Sequence, residues 1–182
     1  WAGRRAQPGP PAAGVGSLWS LTERDRCTRG VFIVEWLNLP VPLTVARHRL
    51  ATYLRTDGPL GRACAAALAH GLNQPLPDQG SPETVAARTL PPYQRGETTV
   101  IGFRSLTPAS WGGAGDLPIL DANLELRAGP GHTARLGLLG SFRLGRAVDD
   151  ASLVRAAQHT TTDLLRRVAG ALRGGEGPVL EA

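Results

Sequence analysis

The hydrophobic and polar positions near the carboxyl end of the chain repeat with a helical period. Over residues 149–173, apolar side chains recur every three or four residues on one face, while arginines occupy the opposite face. Asp149 and Asp150 suit the start of a helix, and Gly174-Gly175 suits its end. A helix of this length is about 35–40 Å long, which is enough to cross four or five strands of a sheet.

Alternating or β-branched apolar residues predict strands ahead of that helix. The segments are 31–37, 83–90, 97–106, 119–127 and 133–143, separated by Gly- and Pro-rich turns. Segment 31–37 is apolar on both faces except at Glu35, which is typical of a strand covered on both sides or of one beside a cavity. Two shorter helical patterns, 43–55 and 60–72, follow this first strand.

The order of elements predicts an α+β fold. Four consecutive strands joined by short turns form an antiparallel sheet, and the apolar face of such a sheet must be covered. The terminal helix is the only long amphipathic segment that can supply the cover. We therefore expect a curved antiparallel sheet of about five strands wrapped around the C-terminal helix, with two short helices after the first strand and a pocket beside the terminal helix.

Composition and charge indicate one domain with terminal extensions. We expect a flexible leader over 1–29, a domain over 30–174 and a disordered tail over 175–182. The leader holds five arginines against two acidic residues, so it carries +3 of the net charge of +5. The body shows no arginine stripe with interleaved aromatic residues, so no nucleic-acid partner is expected.

The remaining signals set the cellular context and exclude several chemistries. No apolar run approaches the roughly 18 residues of a membrane span, and no secretory signal is visible, so we expect a cytoplasmic protein. Two free thiols are expected at Cys27 and Cys64, with a disulfide between them as the alternative. The four histidines are scattered and no nucleotide or nucleophile motif is present, so we expect neither a metal nor a cofactor.

Three segments of the chain resemble a known family. The strand GETTVIGF, the hairpin LPILDANLELRAGPGHTARLGLLGSFR and the helix LVRAAQHTTTDLLRRVAGAL are similar to the SRPBCC (START/Bet v 1-like) superfamily, in its polyketide cyclase/dehydrase-like, actinobacterial-type branch. The resemblance covers about residues 30–173, although this chain is shorter than full members and has fewer strands. It implies a helix-grip fold with a hydrophobic cavity between sheet and helix. Members bind lipids, hormones or polyketides, and some catalyse cyclisation, dehydration or hydrolysis.

The resemblance implies a set of residues that line the cavity. They are the inward residues of the strands and the buried face of the terminal helix: Ile101, Phe103, Ser105, Leu120, Ala122, Leu124, Leu136, Leu138, Phe142, Ala157, Thr160, Thr161 and Leu164. The alternative for each residue is that it simply fills a core, and for the two threonines that the hydroxyl bonds to a carbonyl of its own helix.

Two charged residues are candidates for catalysis. Glu35 lies among apolar neighbours, where desolvation disfavours the ionised carboxylate, as a general acid or base requires. Pairing with an arginine or exposure to water is the alternative. Arg104 follows Phe103 on a central strand and either points outward or anchors an acidic group of a ligand.

These observations lead to one expected function and two alternatives. We expect the binding of a small hydrophobic molecule, lipid-like or polyketide-like, by a monomer or homodimer. An enzyme of the polyketide cyclase or dehydratase type that uses the same cavity is the first alternative. An interaction module whose tail docks a partner is the second.

Overall fold

The computed structural model describes residues 29–55, 58–73, 86–106, 118–144 and 149–174. Residues 1–28 and 175–182, which hold nearly all of the expected leader and the whole expected tail, lie outside these ranges, so the predicted domain bounds stay predictions. Cys27 lies outside them as well. Within the described residues, no helix has the length and apolar character needed to cross a membrane.

The described elements follow the predicted order with one additional strand. They are β1 (Arg29–Leu39), α1 (Leu43–Arg55), α2 (Pro59–Leu72), β2 (Ala86–Thr89), β3 (Tyr93–Arg95), β4 (Thr98–Leu106), β5 (Ile119–Ala128), β6 (Ala134–Leu144) and α3 (Asp150–Arg173). The predicted α+β helix-grip architecture, an antiparallel sheet with a long C-terminal helix, is confirmed.

The sheet is antiparallel and has six strands rather than about five. Its order is β1-β6-β5-β4-β2, and β3 also pairs with β4. The additional strand arises because Pro91-Pro92 divides one extended segment into two pieces. Both pieces pair with β4, and between them Leu90 N donates a hydrogen bond of 2.8 Å to Gly102 O. At the opposite side of the described sheet, β1 pairs with β6 along its whole length and forms the edge.

The inner face of the sheet is mostly apolar, and over β4, β5 and β6 most of it is buried under the helices. Cross-strand neighbours such as Leu124 and Leu138 share this face, and both have no exposed surface. The sequence indicated the terminal helix as the cover. In the structure three helices share that role: α3 packs over β1 and β6, α1 contacts β5, and α2 packs against α3 and β2.

The predicted signals at both ends of α3 are confirmed. At its start, Asp149 Oδ1 accepts a hydrogen bond of 2.8 Å from Ser152 N, and Asp149 Oδ2 accepts one of 2.6 Å from the Ser152 hydroxyl. Both hydrogen bonds lower the pKa of Asp149, and the bond from the Ser152 side chain has the larger effect. At its end, Gly174 has a φ of +83°, the left-handed conformation that glycine adopts without steric cost.

Close contact between α2 and α3 depends on the missing side chain of Gly71. A Cβ atom at this position would lie 2.1 Å from Thr160 Oγ1 and 2.9 Å from Ala156 O. Backbone and a buried hydroxyl cannot move aside as the end of a flexible side chain can. The two helices therefore approach as closely as they do because residue 71 is glycine.

We expect Gly71→Ala to destabilise the fold by about 1–3 kcal/mol, because the added methyl group must push the two helices apart. Gly170→Ala is the matched control. It is also a helical glycine, but a Cβ there meets no atom within 4 Å. The control is expected to stabilise the protein by about 0.5–1 kcal/mol through its higher helix propensity. Urea unfolding checks both values, and equal effects of the two substitutions would contradict the close contact.

Two titratable groups are enclosed where α1 meets α2. Cys64 is a free thiol with no exposed surface, and burial raises its pKa to about 12. Burial also raises the pKa of the half-buried Tyr53 to about 12, and the neighbouring Cys64 adds to the increase. Both groups are therefore neutral in the folded protein up to high pH.

We expect the free energy of unfolding to fall as the pH rises from about 9 to about 12. The unfolded chain releases the Cys64 proton near the ordinary value of 9.0, whereas the folded protein retains it until about pH 12. Cys64 contributes a slope of at most about 1.4 kcal/mol per pH unit. Urea titrations across this range measure the slope. Cys64→Ala should make it shallower, and an unchanged slope in that variant would assign the effect to other groups.

Candidate functional site: a groove between β1 and α3

A groove of about 200 Å³ lies between β1 and the first half of α3. Its walls are Val31, Phe32, Ile33, Val34 and Glu35 from β1, and Val154, Ala157, Gln158 and Thr161 from α3. Successive residues of a strand point to opposite faces. Five consecutive residues along one groove therefore mean that it follows the edge of β1, where the backbone itself forms part of the wall.

Glu35 is held at this groove by α3. It shares the inward side of β1 with Ile33 and Leu37, which pack against the core. The hydroxyl of Thr162 lies 2.8 Å from Glu35 Oε1 and 3.1 Å from Oε2, so it donates to the carboxylate. The carboxylate thus stands at the junction of strand and helix with one hydroxyl orienting it, and no arginine is paired with it among the described residues.

Three consecutive threonines of α3 have three different surroundings. Thr160 faces Gly71 of α2, and its buried hydroxyl has no hydrogen-bond partner within the described part of the chain. Thr161 lines the groove, while its hydroxyl donates 2.7 Å to Ala157 O one turn earlier. Thr162 donates to Glu35. The two threonines predicted to line a cavity are therefore separated, and the residue that contacts the candidate carboxylate is the third one, which the sequence did not single out.

Most of the predicted cavity residues lie in the core. Ile101, Phe103, Ser105, Leu120, Ala122, Leu124, Leu136, Leu138 and Phe142 are buried on the inner face of the sheet, and Leu164 is buried on α3. None of them lines the groove. The one polar member of the sheet set, Ser105, accepts a 2.9 Å hydrogen bond from Leu120 N, so its oxygen already has an internal partner. Ala157, Thr161 and Glu35 are the predicted site residues at the groove.

Arg104 lies on the outer face of the sheet, away from Glu35. It is aligned with Asp121 across β4 and β5 and forms an ion pair with that carboxylate. Its side chain is 54% exposed, which agrees with the outward alternative. The structure does not bring the two candidate catalytic residues together.

Sequence reasoning missed Val154 and Gln158 as groove residues. They are four residues apart on α3 and therefore lie on the same side of the helix, one turn from each other. Their spacing was visible in the sequence, but the sequence did not show that this side of α3 faces β1.

Among the described residues, no group of three or more His, Cys, Asp and Glu side chains is placed to hold a metal ion.

Comparisons with known proteins give distant structural similarity. No protein-family model and no curated protein sequence matches the chain. Ara h 8.0201 is similar at 11% identity and a TM-score of 0.41, covering 80% of this chain and 99% of that one. A protein from Rhizobium leguminosarum is similar at 13% identity and a TM-score of 0.33, covering 76% and 97%.

A third similar structure is the Zhui aromatase/cyclase from a Streptomyces species, at 14% identity and a TM-score of 0.29, covering 82% of this chain and 99% of that one. At these values the similarities carry no argument about function. The fold is established by the element order and sheet topology of the chain itself. This order and topology form the helix-grip architecture that the resemblance implied.

Proposed function

We propose that the protein binds a small hydrophobic molecule, lipid-like or polyketide-like, in the groove between β1 and α3. The observation that supports this function best is the composition of the groove. Its side chains are mostly aliphatic, with Phe32 at the rim and three polar residues, Glu35, Gln158 and Thr161. Apolar walls with a few placed polar groups are typical of small-molecule sites.

The size of the groove limits what it holds. Its volume is about 200 Å³, and an apolar cavity of about 150 Å³ is large enough for benzene in a well-studied engineered protein. One aromatic ring or a short segment of an alkyl chain therefore fits inside. A longer ligand would extend along the edge of β1, with a polar end near Glu35 or Gln158.

We expect Val154→Trp to lower the uptake of a fluorescent fatty-acid analogue by about tenfold or more, because the indole fills the groove. Val154 is 41% exposed, so the substitution adds no volume to the core. Val45→Trp on α1 is the matched control: its valine is 36% exposed and does not line the groove. Fluorescence titration measures both. Uptake that is equally lowered by both variants, or by neither, would remove the groove as the site.

Glu35 supports an enzyme as the second candidate function. Its carboxylate lines the groove and is oriented by the Thr162 hydroxyl, which is the placement that proton transfer to a bound molecule requires. In this alternative the groove positions a polyketide-like substrate for cyclisation or dehydration, and Glu35 moves the proton.

For the enzyme, we expect Glu35→Gln to lower turnover of a linear polyketone by roughly 10²- to 10⁴-fold, because the amide cannot accept the proton. Ring formation is followed by absorbance. Glu97→Gln, the same chemical change in the exposed turn before β4, is the control and should leave turnover unchanged. Full turnover in Glu35→Gln with intact folding would exclude Glu35 as the proton-transfer group and leave the binding function unaffected.

A further inference from the structure

The outer face of β1 exposes apolar side chains that the core does not use. Phe32 is 76% exposed and Val34 is 56% exposed, both on the face opposite Ile33. The strand register places Val34 beside Leu139 of β6, and Trp36 beside Gly137. We call Phe32, Val34, Trp36 and Leu139 the outer strip.

Trp36 is fixed at one end of the outer strip. A Cβ atom at Gly137 would lie 2.6 Å from the Trp36 ring, so the indole lies directly across that glycine. The guanidinium carbon of Arg127 is 3.9 Å from the ring centroid, and that of Arg135 is 5.3 Å from it. The indole is therefore packed under two arginines and leaves Phe32 and Val34 as the protruding apolar side chains.

Positive charge flanks the outer strip at both ends. Arg135 is at the Trp36 end, and Arg143, aligned with Gly30, is eight residues further along β6 at the other end, about 27 Å away. The acidic side chains of this face, Asp121 and Glu125, form ion pairs with Arg104 and Arg95.

No acidic side chain in the described part of the outer face is therefore left to balance the arginines that flank the strip.

We propose that the outer strip is a docking surface for an anionic lipid bilayer. Phe32 and Val34 would enter the boundary between headgroups and acyl chains, and the flanking arginines would contact lipid phosphates. A bilayer surface accepts both parts of the pattern, the apolar centre and the basic ends. A nucleic acid would stack successive bases on aromatic rings, but Phe32 is the one uncovered ring of the outer strip: Val34 and Leu139 are aliphatic, and the Trp36 ring is already covered by arginine. This inference does not depend on a ligand in the groove.

The test uses the full chain and vesicles of phosphatidylcholine alone or mixed with phosphatidylglycerol. We expect co-sedimentation with the mixed vesicles, weakened by added salt because the arginine contacts are screened. Phe32→Glu combined with Val34→Glu should lower the partition coefficient at least about tenfold, since two apolar contacts are lost and two like charges are added.

Leu90→Glu combined with Tyr93→Glu is the matched control. It makes the same change in charge at two apolar residues, 61% and 51% exposed, near the opposite edge of the sheet beside β4. Equal loss of binding in both double variants would overturn the proposal, because charge alone would then explain it. Binding to vesicles without phosphatidylglycerol that is as strong and insensitive to salt would also overturn it, as would no vesicle binding at all.

Further measurements distinguish docking from a loss of folding, from binding in the groove and from binding to other polyanions. Thermal unfolding should be nearly unchanged in the Phe32/Val34 variant, because both side chains are exposed. Phe32 and Val34 also line the groove, so Val154→Trp separates the two sites: it should lower uptake of the fluorescent fatty-acid analogue without lowering vesicle binding. Arg143→Gln, which leaves the apolar centre intact, should make the salt dependence less steep. Binding to heparin that matches binding to the vesicles and is equally strong in the Phe32/Val34 variant would replace the bilayer by a general polyanion site.

Discussion

The packing of α3 against the inner face of β1 and β6 is the interaction on which the rest of the structure depends. Leu153, Leu164, Val168 and Leu172 of the helix are almost completely buried, and each such side chain contributes about 1.5–3 kcal/mol relative to exposure. Neither element is stable alone: the helix would expose these apolar side chains to water, and the sheet would expose the apolar side chains of its inner face. The same contact sets the position of the groove, because the groove is the space where the helix leaves the edge of β1.

Local sequence patterns were sufficient for much of this arrangement. The clean alternation over 119–127 and 133–143 predicts β5 and β6 to within one residue at each end, and α1 has the predicted bounds. Each of these segments has one face that must be buried, so its period is set by the core. The separate strand β3 was not predicted, because Tyr93, Gln94 and Arg95 are all exposed and show no apolar alternation. They pair with β4 through backbone hydrogen bonds, which a hydrophobic pattern does not record.

The candidate site was harder to predict for two physical reasons. Inward residues of a sheet have the same composition whether they fill a core or line a cavity, and here Leu120, Leu124 and Leu138 fill it. On α3, neighbouring residues are rotated by about 100°, so Thr160, Thr161 and Thr162 point toward α2, the helix's own carbonyl and Glu35. Which hydroxyl reaches the carboxylate depends on the rotation of α3 about its axis, and that rotation is set by tertiary packing.

β1 is the element in which the two proposals meet. It is apolar on both faces, so its sequence did not indicate which face would be covered, and the structure covers the face of Ile33. The register with β6 then has two consequences. On the inner side, Glu35 is two residues from Ile33, so it lies on the same face of the strand and reaches α3. On the outer side, Phe32 and Val34 alternate with Ile33 along the strand and are therefore left exposed beside Leu139. A single edge strand therefore supplies the groove with its carboxylate and the surface with its apolar centre, and a shift of one residue in register would exchange the two sets.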